Sequence, residues 1–216
     1  MDRLEGLPFQ QGQHICAVYD TRDEQLAVAA AYLADGLRIG ERCLYATDSL
    51  PGLADFRSRL RALGVDAGNE ERRRALVLLT SEQAHLRDGQ FDCERMLRML
   101  NDAVEEALND GFVGLRTCGD MSWLIDKPPG SHQVVEYEAV LNQFFLNVRG
   151  LGMCQYDRRR LPAGLLDHAG LVAHSTIVVD GAHQENPYYD VESDGRAERR
   201  HPAAIDETLG KLRHQD

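Results

Sequence analysis

The chain has 216 residues, enough for one domain with a full core, and its 43% apolar and 27% charged residues are ordinary for a globular protein. A formal net charge of −11 argues against a sequence-independent grip on nucleic acid or on an anionic membrane surface. No apolar run reaches the ~18 residues needed to span a bilayer, and "MDRLEGLPFQ" lacks the basic-then-apolar layout of a signal peptide, so a cytoplasmic location is expected.

In chain order, "HICAVY" predicts a first strand and residues 23–37 a helix, with Thr21 and Glu24 in capping-box register. "RCLYAT" reads as a second strand, 53–63 as a helix, and "ALVLLT" as a third strand. A helix over 93–108 precedes the strand "FVGLRTC"; a helix over 134–148 precedes "LGMCQY"; a short helix over 161–168 precedes "STIVVD". Gly36, Gly64, Gly111 and Gly150 fall near helix ends, where a left-handed residue is cheap. Strand and helix alternating at this spacing predict an α/β fold with a mostly parallel central sheet and helices on both faces. Residues 1–190 read as one domain and 191–216 as a polar tail, with a short helix expected over 203–212.

The five cysteines, Cys16, Cys43, Cys93, Cys118 and Cys154, share no C-x-x-C spacing, so they read as buried thiols rather than as disulfides or a zinc site. His14 reads as a strand-end residue. His168 and His174 flank "AGLVA" six apart, no standard ligand spacing. Glu136 and Glu138 lie two apart on a helix and face different ways, so they form no acid/base pair. No metal site and no cofactor are expected.

Four expected strands run into an aspartate: "HICAVYD", "RCLYATD", "GLRTCGD" and "GMCQYD", ending on Asp20, Asp48, Asp120 and Asp157. In an open parallel sheet these ends share one edge, where ligands bind. Aspartate is also a common helix N-cap, and capping accounts equally well for any one of them. It does not account for their company. Tyr19 and Tyr156 precede two of the aspartates, Arg116 lies on the strand leading to Asp120, and Trp123 follows it. Aromatic residues with a few convergent polar groups suit a small-molecule pocket. The candidate ligand site is therefore Tyr19, Asp20, Asp48, Arg116, Asp120, Trp123, Tyr156 and Asp157, with no catalytic residue assigned.

The unit "YDTRDEQLAVAAAYLADGLRIGERCLYATD" resembles the first strand–loop–helix–strand of KaiC-type RecA-fold ATPases, which place a glycine-rich phosphate loop where this chain has "YDTRDEQ". Counting back from Gly36, Gln25 stands at the loop lysine, Leu26 at the magnesium-binding hydroxyl, and Tyr19 and Glu24 at the glycines. Asp20, Asp23 and Glu24 would repel a triphosphate. By the same likeness Asp120 stands at the second nucleotide motif's aspartate, without its usual partner. "HICAVYD", "LADGLRIGERCLYATD", "GQFDCERML", "GFVGLRTCGDMSW", "EYEAVLN", "CQYDRRRLP" and "NPYYD", in this order from His14 to about Tyr189, resemble the MEDS domain, a degenerate branch of that fold without a working phosphate loop.

The resemblance implies a RecA/KaiC-like three-layer sandwich and a non-catalytic sensory domain. It binds a small, largely apolar organic molecule and signals to a regulatory protein: a histidine-kinase-type partner, an anti-sigma factor or a transcription regulator. No helix-turn-helix is read before His14 and no kinase-like domain after Asp190, so output is expected through a partner, through oligomerisation (a twofold homodimer being the simplest) or through a further domain. A divalent-metal hydrolase or transferase using the aspartates, and a ligand-independent interaction module, are the alternatives.

Overall fold

The computed structural model describes residues 9–189. The tail expected over 191–216 lies outside them. The strands are β1 (His14–Tyr19), β2 (Arg42–Thr47), β3 (Leu76–Thr80), β4 (Leu115–Asp120), β5 (Gly150–Asp157), β6 (Thr176–Val179) and β7 (Ala182–Glu185). They form one seven-stranded sheet in the order β3-β2-β4-β5-β1-β6-β7. All pairings are parallel except β6 with β7. The helices are α1 (Arg22–Arg38), α2 (Leu50–Ala62), α3 (Ala67–Arg72), α4 (Cys93–Asn109) and α5 (Val134–Asn147), with a short helical turn at Ala163–Leu165 that runs into a π-type turn at Leu166–Leu171.

The pleat divides the core in two. Ile15, Ala17, Tyr45, Cys118, Leu151 and Met153 pack against α1 and α2 on one face. Cys16, Val18, Cys154, Tyr156, Ile177 and Val179 pack against α4, α5 and the π-type turn on the other. Alternate residues serving opposite faces is what a strand's two-residue period requires, and burial on both faces explains why the strands read as near-continuous apolar runs. The fold class matches the sequence reading.

Local chemistry sets the element ends. Thr21 and Glu24 form the expected capping box: Thr21 accepts from the Glu24 amide, and Glu24 accepts from the backbone of Asp20 and Thr21. Ser49, Asp66 and Asp92 cap α2, α3 and α4. Gly64 and Gly111 take the left-handed conformation expected of them. Gly36 does not; it lies inside α1, where a Cβ would stand 2.7 Å from the Arg116 side chain, and Gly40 supplies the left-handed turn instead. Gly150 opens β5.

Candidate functional site

The carboxyl ends of β1, β2 and β4 meet above α1. Tyr19, Asp120 and Asp157 point to the α1 face; Asp48 follows β2 and Asp20 follows β1. Asp120 is fully buried and, in place of the partner usual in nucleotide-binding relatives, has four others: the Tyr19 hydroxyl donates at 3.3 Å, Thr47 Oγ1 at 3.2 Å, the Ser122 amide at 3.0 Å and Arg22 Nη1 at 3.5 Å. Arg22 projects from the first turn of α1, and its Nη2 reaches Asp48 Oδ1 and Thr47 Oγ1, both at 3.3 Å. Burial, and then the charges of Asp120 and Asp157, push the Tyr19 phenol far above its ordinary pKa, so it stays a donor.

The other two aspartates are also engaged. Asp20 receives Arg158 in a two-pronged pair, Nε at 2.7 Å and Nη2 at 2.6 Å. Asp157 Oδ1 accepts the amides of Arg159 and Arg160 at 3.0 and 3.2 Å. Two arginines thus offset part of the charge of the four carboxylates, and the Asp20, Thr21 and Glu24 amides at the start of α1 are already occupied by its own capping box. Phosphate would have to displace both.

Three sequence-assigned residues do not reach this edge. Arg116 sits near the amino end of β4, buried beneath α1, where Nε meets Glu41 at 2.5 Å, Nη1 donates to the Tyr32 carbonyl at 2.9 Å, and the guanidinium lies over the Tyr32 ring. A residue four positions before Asp120 lies ~13 Å lower on the strand, which is why it misses the rim. Tyr156 is one residue before Asp157, so the pleat sends it to the opposite face. There its hydroxyl lies 2.8 Å from Glu138 Oε1 and 3.2 Å from the Ala169 carbonyl. Trp123 turns inward and stacks on Phe91 at 4.9 Å and His85 at 5.3 Å. Trp123 Nε1 and His85 Nδ1 have no hydrogen-bond partner among the described residues. Burial lowers His85 to a pKa of about 4, so its ring is neutral near neutrality.

Beneath His85 and Gly119 a narrow cavity of about 30 Å³ runs between the sheet and α4/α5, floored by Met121, Met96 and Cys154. A larger open groove of about 440 Å³ lies lower on the same face, lined by Arg42, Arg87, Arg95 and Arg98 over an apolar base that includes Leu44 and Met99.

Sequence reasoning missed a second constellation. His14, Glu138, Cys154 and His174 are buried, and their ligand-type atoms lie within 4.8 Å of one another, close enough to hold one metal ion. They come from β1, α5, β5 and the turn before β6, so no sequence spacing joins them. His174 pairs with His14 and not with half-buried His168. The usable signal was parity: Cys154 and Tyr156 share the face of β5 that α5 covers, and of the two nearby glutamates only Glu138 faces inward.

Comparison with known proteins fits this architecture. The chain is 26% identical over 171 residues to the transcriptional repressor DcmR of Methylorubrum extorquens, covering 76% of this chain and 60% of that protein. It therefore spans about three-fifths of that relative's length. A crystal structure of a KaiC-like protein from Pyrococcus horikoshii superimposes with a TM-score of 0.57 at 15% identity, covering 82% of this chain and 74% of that one. That likeness concerns the fold alone. The family model of the methanogen/methylotroph, DcmR sensory domain matches residues 13–172, and with its RecA-like sheet and engaged α1 N-terminus the chain belongs to this MEDS family of sensory domains.

Proposed function

We propose that this chain is a non-catalytic sensory module of the cytoplasm. It binds a small, largely apolar molecule at the carboxyl end of its sheet and passes the signal to a transcription regulator or a histidine-kinase-type partner. The observation that carries the reading is the closure of the α1 N-terminus by Thr21, Glu24 and Arg22, which uses the groups a nucleotide phosphate would need. The relative DcmR, a transcriptional repressor, supports a regulatory output. The ligand settles in the apolar cavity under His85, on the α4/α5 side of the sheet beside Trp123, while Tyr19, Asp120 and Asp157 border the same end of the sheet from the α1 side. With about 30 Å³ of room the cavity suits a molecule of very few heavy atoms, or a larger one after the sulfur-rich walls shift. A ligand moves the output only by the difference in its affinity for the two output states.

Trp123 is the sole tryptophan and stacks on His85, so its emission reads the site directly. A thermal-shift screen of the full chain with short-chain alcohols, ketones, thiols and small aromatic hydrocarbons should find compounds that raise the melting temperature and change Trp123 emission. No response to any compound, together with micromolar binding of a fluorescent ATP analogue, would overturn the reading.

A further inference from the structure

Two histidines in the α5-side core have tautomers fixed by their surroundings. His174 Nδ1 lies 2.7 Å from the Gly170 carbonyl, which can only accept, so Nδ1 carries the proton. Asn142 donates its amide nitrogen to the Ala173 carbonyl at 2.6 Å, so its oxygen faces His14 Nδ1 at 3.1 Å, and that nitrogen is protonated too. Both Nε2 atoms therefore present lone pairs inward. They face the same carboxylate oxygen, Glu138 Oε2, at 3.1 Å from His14 and 3.4 Å from His174. Cys154 Sγ completes the group 3.6 Å from His14 Nε2.

Three lone-pair atoms and a thiol converging on one point are mutually repulsive unless something positive lies between them. A proton on Glu138 satisfies one neighbour only, the Cys154 thiol can donate to one more, Glu138 or His14, and His174 Nε2 has no hydrogen-bond partner among the described residues. Three of the spacings, 3.1, 3.4 and 3.6 Å, are close to those of ligands on a common ion, and all four atoms lie within 4.8 Å of one another. Donors bound at about 2.0–2.3 Å in a tetrahedron stand roughly 3.3–3.6 Å apart. The outer contacts also fit, because a metal-binding histidine typically donates its other N–H to a carbonyl. Tyr156 does the same for the free oxygen of Glu138 at 2.8 Å.

We propose that His14 Nε2, His174 Nε2, Cys154 Sγ and Glu138 Oε2 form a closed, four-coordinate site for zinc(II) or a divalent ion of similar softness. Two nitrogens, one sulfur and one oxygen exclude magnesium and calcium, which want mostly oxygen. Binding releases the Cys154 proton and any proton on Glu138, leaving a thiolate and a carboxylate that cancel the ion's two charges. With four protein ligands the coordination sphere keeps no open position for substrate, so the ion would pin β1 and β5 to α5 and to the turn before β6, as structural sites do.

The test uses tag-free full chain, stripped with chelator under reducing conditions and titrated with cobalt(II) and with zinc(II) alone. The expected result is one equivalent bound, tetrahedral visible bands for cobalt with a near-ultraviolet thiolate charge-transfer band, displacement by zinc, and a higher melting temperature. Cys154→Ser should remove the charge-transfer band, and Glu138→Gln should weaken binding at least tenfold, with folding of each variant checked by circular dichroism. Should either variant not fold, His174→Gln and modification-protection of Cys154 by zinc in the parent chain supply the same readout. No cobalt spectrum in folded parent protein, or metal binding indifferent to these substitutions, overturns the proposal.

Discussion

Arg22, in the first turn of α1, and Asp120, at the end of β4, stand 3.5 Å apart across the edge where a nucleotide-binding relative of this fold would hold its ligand, and the same guanidinium reaches Asp48 at 3.3 Å. One arginine thus bridges two strand-end carboxylates from the position that would otherwise greet a phosphate.

That bridge predicts a gain of cation binding on its removal. Arg22→Ala leaves Asp48 and Asp120 uncompensated, one of them fully buried, and should cost about 1–2 kcal/mol in urea unfolding. Magnesium or calcium should then raise the melting temperature of Arg22→Ala and leave the parent unchanged. A parent that responds to these ions equally would favour the carboxylate-metal enzyme reading.

Glu41 and Arg116 form a buried pair, each side chain 2% exposed. Burial lowers Arg116's hold on its proton, and Tyr32 and Glu41 more than restore it, so the guanidinium stays charged. Glu41→Ala strands that charge and should cost about 3–5 kcal/mol; Glu41→Leu combined with Arg116→Met should lose much less. Denaturant midpoints of the three proteins decide it.

Two glycines separate backbone strain from collision. Gly130 and Gly40 both have φ +84°, but a Cβ at Gly130 meets the Phe91 carbonyl, whereas at Gly40 it meets nothing within 4 Å. Gly40→Ala should cost about 1 kcal/mol. Gly130→Ala should cost at least ~3 kcal/mol and shift Trp123 emission, because Phe91 is the ring stacked on Trp123.

His85 predicts an acid-side loss. Its pKa falls from 6.5 unfolded to about 4 folded because burial disfavours the cation. Between those values the unfolded chain binds the proton and the folded chain does not. Stability is therefore complete above pH ~6.5 and declines as pH falls toward ~4, by up to about 3 kcal/mol. His85→Phe should flatten that part of the parent's stability–pH curve, and the difference between the two curves isolates His85.

Local pattern carried the fold well. "HICAVY" and "RCLYAT" are β1 and β2 residue for residue, and the Thr21–Glu24 box lies where its spacing put it. The short α3 was missed because "AGNEER" carries no apolar face, and β7 because "AHQE" is a polar edge strand made by a hairpin through Asp180 and Gly181, both with positive φ. The aspartates were found because every strand end announces itself by a change of composition. Arg116, Tyr156 and Trp123 were misplaced because being near a rim residue in sequence says nothing about height along the strand or the side of the pleat. The His14–Glu138–Cys154–His174 group was invisible for a stricter reason: it exists only once β1, β5 and α5 have been brought together.

β5 lies between β4 and β1, hydrogen-bonded along both flanks. Gln155 on one side donates to the Gln25 carbonyl of α1 at 2.9 Å, while Tyr156 on the other meets Glu138 of α5. Interiors this dense do not absorb displacement locally. A slide of β5 by a fraction of an ångström would therefore reach both helical layers at once, with opposite surfaces of the molecule responding to the same push.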